Sequence, residues 1–172
     1  NILELSLQAA SFFQSLGIEK GDKIAIMSQN TPDFVISLFG SWFAGATVVP
    51  INHKLMAPET EYILEHSEAK LFLFDGSLSG VADKIRLKKV KKMALDTEVS
   101  GYELFSNNLK SQKEPKPVKV NDDDFAEILY TSGTTGKPKG CLHTHRNVVM
   151  AGITAVIATK MDNDDVLLMA MP

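Results

Sequence analysis

At 172 residues the chain fits one domain or a large part of one, and a chain of that length buries about two-thirds of its unfolded surface when it folds. Hydrophobic residues at 44% and charged residues at 23% match a soluble globular protein, and a net charge of -3 gives no reason to expect nucleic acid as a partner. The one cysteine, Cys141, excludes an internal disulfide framework and fits a reducing compartment, so a cytoplasmic location is expected.

Residues 1–16 carry Glu4, Gln8 and Gln14 and no basic leader, which is not the pattern of a targeting signal. The first residue is Asn1, so the chain is expected to begin inside a longer protein or after trimming. Ile2, Leu3, Leu5, Ala9, Phe12, Phe13 and Leu16 recur at helical spacing, and Gly17 supplies the stop. Asp22 to Ser28 reads as a short buried strand. Thr31-Pro32-Asp33 then opens a helix, with Thr31 as N-cap, Pro32 at the first helical position and Asp33 complementing the dipole. That helix runs to about Ala44 and stops at Gly45, and Val-rich Ala46 to Ile51 is the next strand. The apolar run Phe34 to Ile51 is therefore a helix followed by a strand, with no integral membrane segment expected. Attachment at a membrane surface stays open.

Two short apolar strands joined by a helix form a βαβ unit with parallel strands. The rhythm then repeats. Ala57 to His66 is a helix with Pro58 and Glu59 in its first turn, and Lys70 to Phe74 is a strand of alternating character. Val81 to Leu87 is a short helix, Val90 to Leu95 a strand and Gly101 to Leu109 a weaker helix. Ser111 to Asp123, with Pro115, Pro117, several lysines and an acidic end, reads as an exposed, solvated connector. Phe125 to Tyr130 is a strand, Lys139 to His143 a short returning strand, Arg146 to Thr159 an apolar helix and Val166 to Ala170 a final buried strand. The fold class is α/β, a mostly parallel sheet flanked by helices. The expected organisation is an N-terminal α/β subdomain over 1–110, an exposed linker over 111–123, and the start of a second subdomain over 124–172.

The chemistry concentrates in residues 131–140. These ten residues hold three glycines, three threonines, one serine and two lysines, the materials of a polyphosphate clamp. Gly133, Gly136 and Gly140 let backbone N–H groups approach oxygen atoms. Thr131, Ser132, Thr134 and Thr135 supply hydroxyl donors, and Lys137 and Lys139 supply positive charge. Pro138 holds Lys137 extended. The segment follows a strand, where ligand loops sit in α/β sheets. It is not the Gly-x-x-x-x-Gly-Lys-Ser/Thr loop, because Thr131 stands where the first glycine belongs and Pro138 follows the lysine. No Gly-x-Gly-x-x-Gly dinucleotide fingerprint is present in this stretch.

The string Tyr130-Thr131-Ser132-Gly133-Thr134-Thr135-Gly136-Lys137-Pro138-Lys139-Gly140 resembles the core signature of the adenylate-forming (ANL) superfamily. Its members are acyl-CoA synthetases, aryl-CoA ligases, firefly-type luciferases and the adenylation domains of peptide synthetases. The sequence departs at Cys141, where a small aliphatic residue is more usual. Further similarity lies in Gly21-Asp22-Lys23-Ile24-Ala25-Ile26, Asn30-Thr31-Pro32-Asp33-Phe34, Ala44 to Asn52, Tyr62-Ile63-Leu64, Ser67 to Lys70 and Thr144-His145-Arg146-Asn147. Pro50-Ile51-Asn52 leans toward fatty-acyl or aryl CoA ligases. The resemblance implies the N-terminal subdomain of an acetyl-CoA-synthetase-like fold, from an acyl-CoA synthetase of the long-chain fatty-acid–CoA ligase kind.

It further implies an AMP-forming ligase that activates a carboxylic, expectedly fatty, acid as an acyl-adenylate and passes it to coenzyme A. ATP, Mg²⁺ and coenzyme A are the implied cofactors and partners of the full-length enzyme. Thr131, Ser132, Gly133, Thr134, Thr135, Gly136 and Lys139 would hold the β- and γ-phosphates. The adenine-binding segment, the acidic metal ligand, the ribose-binding aspartate and the catalytic lysine lie later in such enzymes. No catalytic or metal-ligating residue is therefore assigned here, and these residues alone are expected to be inactive. Two alternatives stay open: an adenylation domain that loads a carrier protein, and a non-catalytic nucleotide-binding module.

Outside that loop the expectations are structural. His53, His66, His143 and His145 lack metal-like pairing, and Cys141 reads as a buried spacer. Trp42 with Phe39 and Phe43 reads as helix-face packing, and the basic stretch Lys84, Arg86, Lys88, Lys89, Lys91 and Lys92 as a solvated face.

Overall fold

The computed structural model describes residues 1–109, 114–131 and 136–166. Helix α1 (Ile2–Ser15) is capped by Asn1, whose Oδ1 accepts from the Glu4 N–H at 2.9 Å, and its chain turns off at Gly17 with φ +81°. Strand β1 (Lys23–Met27) leads to α2 (Pro32–Phe43), where Thr31 Oγ1 accepts from the Phe34 N–H and Pro32 occupies the first turn. Gly45, at φ +78°, ends α2 and admits β2 (Thr47–Ile51). A side chain there would meet Val118 at 2.7 Å as well as adopt a strained backbone.

Helix α3 (Ala57–His66) starts with Glu59 reaching back to the Met56 N–H at 3.0 Å. A turn with Glu68 at φ +56°, a conformation more often given to glycine, delivers β3 (Ala69–Phe74). A 3₁₀ turn and the short α4 (Ser79–Ala82) follow. The expected Val81–Leu87 helix thus lies earlier and is shorter. Glycine and serine open it, and Lys92 Nζ closes it by donating to the Ala82 and Ile85 carbonyls at 2.8 and 2.7 Å. Strand β4 (Lys91–Ala94) is as expected. The weak helix expected over 101–109 is instead β5 (Glu103–Leu104) and a 3₁₀ turn at Ser106–Asn108. Edge pairing to β4 is available there, and the segment carries a Gly101 start and few helix formers.

Residues 114–121 have no regular structure. Gln14 grips Lys116 through both its amide atoms, and Lys20 Nζ donates to the Lys119 carbonyl at 3.0 Å. Strand β6 (Phe125–Thr131), β7 (Lys139–Thr144) and α5 (His145–Thr159) complete the described chain. The strand expected over 166–170 falls outside the described residues from 167 onward.

The sheet order is β5-β4-β3-β1-β2-β6-β7. All neighbours are parallel except the antiparallel β6–β7 pair, so the expected parallel βαβ architecture is present. Both faces of its centre are covered. Ile24, Ile26, Leu71, Leu73 and Met93 face α1 and α2, while Ala25, Met27, Phe72, Phe74 and Ala94 face α3 and α4. That explains why β3 is not alternating. Only Lys70 is exposed, because side chains on either face enter a core. Helices α1 and α2 cross so closely that a Cβ on Gly40 would stand 2.5 Å from that of Ala9.

Candidate phosphate-binding site

Strand β6 is tied to the sheet by β2 and by two side-chain bonds. Thr47 Oγ1 donates to the Phe125 carbonyl at 3.0 Å, and Trp42 Nε1 to the Ala126 carbonyl at 2.8 Å. Because β6 runs parallel to β2, its end at Thr131 reaches the same edge of the sheet as the carboxyl ends of β1, β2 and β3. Strand β7 returns alongside, pairing Tyr130 with Gly140 and Thr131 with Lys139. The described ends of the glycine-rich segment thus lie on the two legs of a β-hairpin that are fixed in register.

The hairpin brings together Thr131, exposed at the end of β6, and Lys139, exposed at the start of β7. Gly136 has φ +132°, which only glycine adopts without strain. Gly140 is required for space: a Cβ there would lie 2.8 Å from Ile128 Cγ2 and 3.3 Å from the Tyr130 ring. Ser132, Gly133, Thr134 and Thr135 lie outside the described residues. Lys137 does not point freely to solvent; its Nζ stands 5.1 Å above the centre of the Tyr62 ring.

Two residues touching the hairpin legs carry no signal in the glycine-rich string itself. Tyr62 donates its hydroxyl to the Pro138 carbonyl at 3.4 Å, and His66 Nδ1 lies 2.7 Å from the Tyr130 hydroxyl. Burial, followed by the neighbouring Tyr62, pushes the Tyr130 phenol above its ordinary pKa. Spacing four apart on α3 was the available signal for Tyr62 and His66, but only the fold shows which strand they face.

At the base of the hairpin, Thr144 and Asn147 exchange hydrogen bonds at 3.2 and 3.0 Å and start α5. The acidic end of the connector is engaged there. Arg146 pairs with Asp123 at 3.2 Å and Asp122 at 3.5 Å, and Asp124 pairs with Lys20 at 2.6 Å. Asp124 also accepts from the Asn121 N–H, and that bond, then Lys20, holds its carboxyl below the usual range. His145, set against the Trp42 ring, is pushed down by burial. Cys141 is exposed on β7 and is not the buried spacer expected, because no described element covers that face of the edge strand.

The basic stretch lies at the opposite edge of the sheet. Lys84, Arg86, Lys88 and Lys89 are exposed and Lys91 pairs with Glu103 at 2.9 Å. A cavity of about 900 Å³ opens there, lined by Leu16, Leu64, Leu71, Leu87 and Val90. It sits at the amino ends of β3 and β4, away from the hairpin tip. Among the described residues no group of three or more His, Cys, Asp or Glu side chains could hold a metal ion, and no helix is long and apolar enough to cross a membrane.

The whole chain, residues 1–172, matches the family of AMP-binding enzymes. The chain belongs to that adenylate-forming family. A crotonobetaine/carnitine–CoA ligase of Escherichia coli (O1:K1 / APEC) is 35% identical over 175 residues, covering 96% of this chain and 34% of that protein. A long-chain-fatty-acid–CoA ligase of Archaeoglobus fulgidus superposes with a TM-score of 0.82 at 31% identity, covering 95% of this chain and 33% of that one. An anthranilate–CoA ligase in complex with anthranoyl-AMP gives a TM-score of 0.84 at 26% identity over 90% of this chain and 31% of that one. The chain therefore spans about a third of the length of the curated relatives it matches.

Proposed function

We propose that this chain supplies the ATP-phosphate clamp of an AMP-forming acid–CoA ligase. The observation that carries the reading is the β6–β7 hairpin. It presents Thr131, Gly136, Lys137, Lys139 and Gly140 at the carboxyl edge of the sheet, and Ser132, Gly133, Thr134 and Thr135 link Thr131 to Gly136 in sequence. Family membership and CoA-ligase relatives support it.

In the proposed reaction a carboxylate oxygen attacks the α-phosphorus of ATP, an acyl-adenylate forms and pyrophosphate leaves. The thiol of coenzyme A then displaces AMP. The residues of this chain would act on the departing phosphates. Backbone N–H groups and hydroxyls around Gly133 and Gly136 would orient the β- and γ-phosphates, and Lys139 and Lys137 would offset their charge as pyrophosphate separates. Mg²⁺ would come with the nucleotide; with no cluster to hold it among the described residues, no step is assigned to it. Pro50-Ile51-Asn52 fits fatty-acyl and aryl CoA ligases alike, and the long-chain ligase relative favours a fatty acid among them. The domain scheme with a second subdomain starting at 124 is proposed on the same likeness.

The test is pyrophosphate release by the full-length protein against short, medium, long and aromatic acids, with coenzyme A and a phosphopantetheinyl carrier protein as competing acceptors. Release with a fatty acid and thioester formation on coenzyme A support the reading. Acylation of the carrier protein alone would move it to the carrier-loading class. ATP binding without pyrophosphate release on any acid would leave a non-catalytic module. Residues 1–172 by themselves are expected to release no pyrophosphate from ATP and a fatty acid.

A further inference from the structure

Helix α3 reaches the hairpin through two side chains one turn apart. Tyr62 and His66 stack on each other, ring centres 5.4 Å apart and 30° between planes. Each touches a different leg. His66 Nδ1 meets the Tyr130 hydroxyl at 2.7 Å on the entering strand, and the two rings contact edge to face at 5.8 Å. Tyr62 meets the Pro138 carbonyl on the returning leg, and its ring lies beneath the Lys137 ammonium. The buried face of α3, with Ile63 and Leu64, is seated in the core. The two aromatic side chains therefore stand on a fixed base. Strand β6, which leads into the glycine-rich segment, is fixed below them by Trp42 and Thr47.

We propose that Tyr62 and His66 are positioning residues that clasp both legs of the hairpin, and that the Tyr62 ring aims Lys137 toward the bound phosphates. The inference rests on reading residues 131–140 as the ATP-phosphate clamp. A cation over an aromatic face is held loosely enough to move and firmly enough to be pre-oriented, at a cost of a few-fold in binding when the ring is removed. The arrangement restricts the search of a long, flexible side chain before the nucleotide arrives.

Kinetics of the full-length protein, with the acid that performs best in the screen above, test the assignment. Tyr62→Leu is expected to raise KM for ATP about threefold to fivefold, with kcat and KM for the acid changing by less than about twofold. Tyr62→Phe keeps the ring and is expected to recover most of that loss. In a double-mutant cycle Tyr62→Leu and Lys137→Met are expected to combine less than additively, because each removes the same contact. A folded Tyr62→Leu protein with KM for ATP within about twofold of the parent, or full additivity with Lys137→Met, overturns the proposal. If Tyr62→Leu does not fold, Lys137→Met and His66→Leu decide. Both are exposed positions, and KM for ATP unmoved in both overturns it. Lys139→Ala and Gly136→Val separate the two levels. Should they leave KM for ATP and kcat unmoved, the clamp reading itself falls. Should they raise KM while Tyr62→Leu does not, only the clasp falls.

Discussion

Residues 1–109 and residues 125–166 share one sheet yet stand in different physical situations. In the first region every central strand has a core on both faces, and Phe13, Phe72, Phe74 and Phe105 are fully buried. In the second, β6 buries Ala126 and Ile128, while no residue of α5 is fully buried. Val149, Met150, Ile153, Val156 and Ile157 are all exposed, Ile157 at 71%. The contrast teaches that the β6–β7 hairpin is held to the sheet by a few specific bonds and that little of its own burial holds it.

The strongest way to break that comparison is to cut the scaffold. Phe13→Ala or Phe72→Ala is expected to cost about 3–5 kcal/mol in urea denaturation, whereas Ile153→Ala on α5 should stay within about 0.5 kcal/mol. A large loss from the helix substitution would erase the distinction. Next comes the α1–α2 crossing. Gly40→Ala must push Ala9 and the Ser6 carbonyl aside and is expected to cost about 1–3 kcal/mol, read as a lower midpoint at unchanged slope. A smaller and localised effect is expected from Trp42→Phe, which removes the bond to Ala126 at about 0.5–1.5 kcal/mol. Hydrogen exchange should accelerate in β6 and β7 and not in β1 or β3.

The pH dependence sharpens the same seam. The depressed Asp124 carboxyl contributes stability that is complete above its unfolded value and lost as pH falls through the lower folded value. His145 has the same sign: its folded pKa is also lowered, so acidification past the ordinary histidine value costs stability. Asp124→Asn is expected to flatten the acid limb of the unfolding curve. The least effect is expected at Asp33, whose pKa is raised by burial and then by Asp96 and Asp75. Stabilisation there grows as pH falls through the folded value, so Asp33→Asn should raise the neutral-pH melting temperature slightly.

Much of this was legible from the residues. Thr31-Pro32-Asp33 marks a helix start because a hydroxyl acceptor and a missing donor fit the first turn, and Gly17 and Gly45 mark stops because both take positive φ. The hairpin was legible as strand, glycine-rich tip and returning strand. What the residues did not disclose was relational. Lys92 as the closing partner of α4, and Tyr62 and His66 as partners of the hairpin, depend on which strands lie side by side. Cys141 reads as buried from its chemistry, but exposure on an edge strand is decided by its neighbours. The acidic run at 122–124 reads as solvated, and only the fold brings Lys20 and Arg146 to it.

The indole that anchors β6 has one more consequence. Trp42 is the only tryptophan in the chain, and its ring lies edge-on to both Phe39 and His145. Its emission is therefore a built-in optical gauge of the place where α2 meets β6 and the α1–α2 core. Detachment of the hairpin would expose the indole to water, and protonation of His145 would quench it, while the phenylalanines buried in the first region would not contribute to that channel. The molecule thus carries its own single-wavelength assay for whether the β6–β7 hairpin is seated.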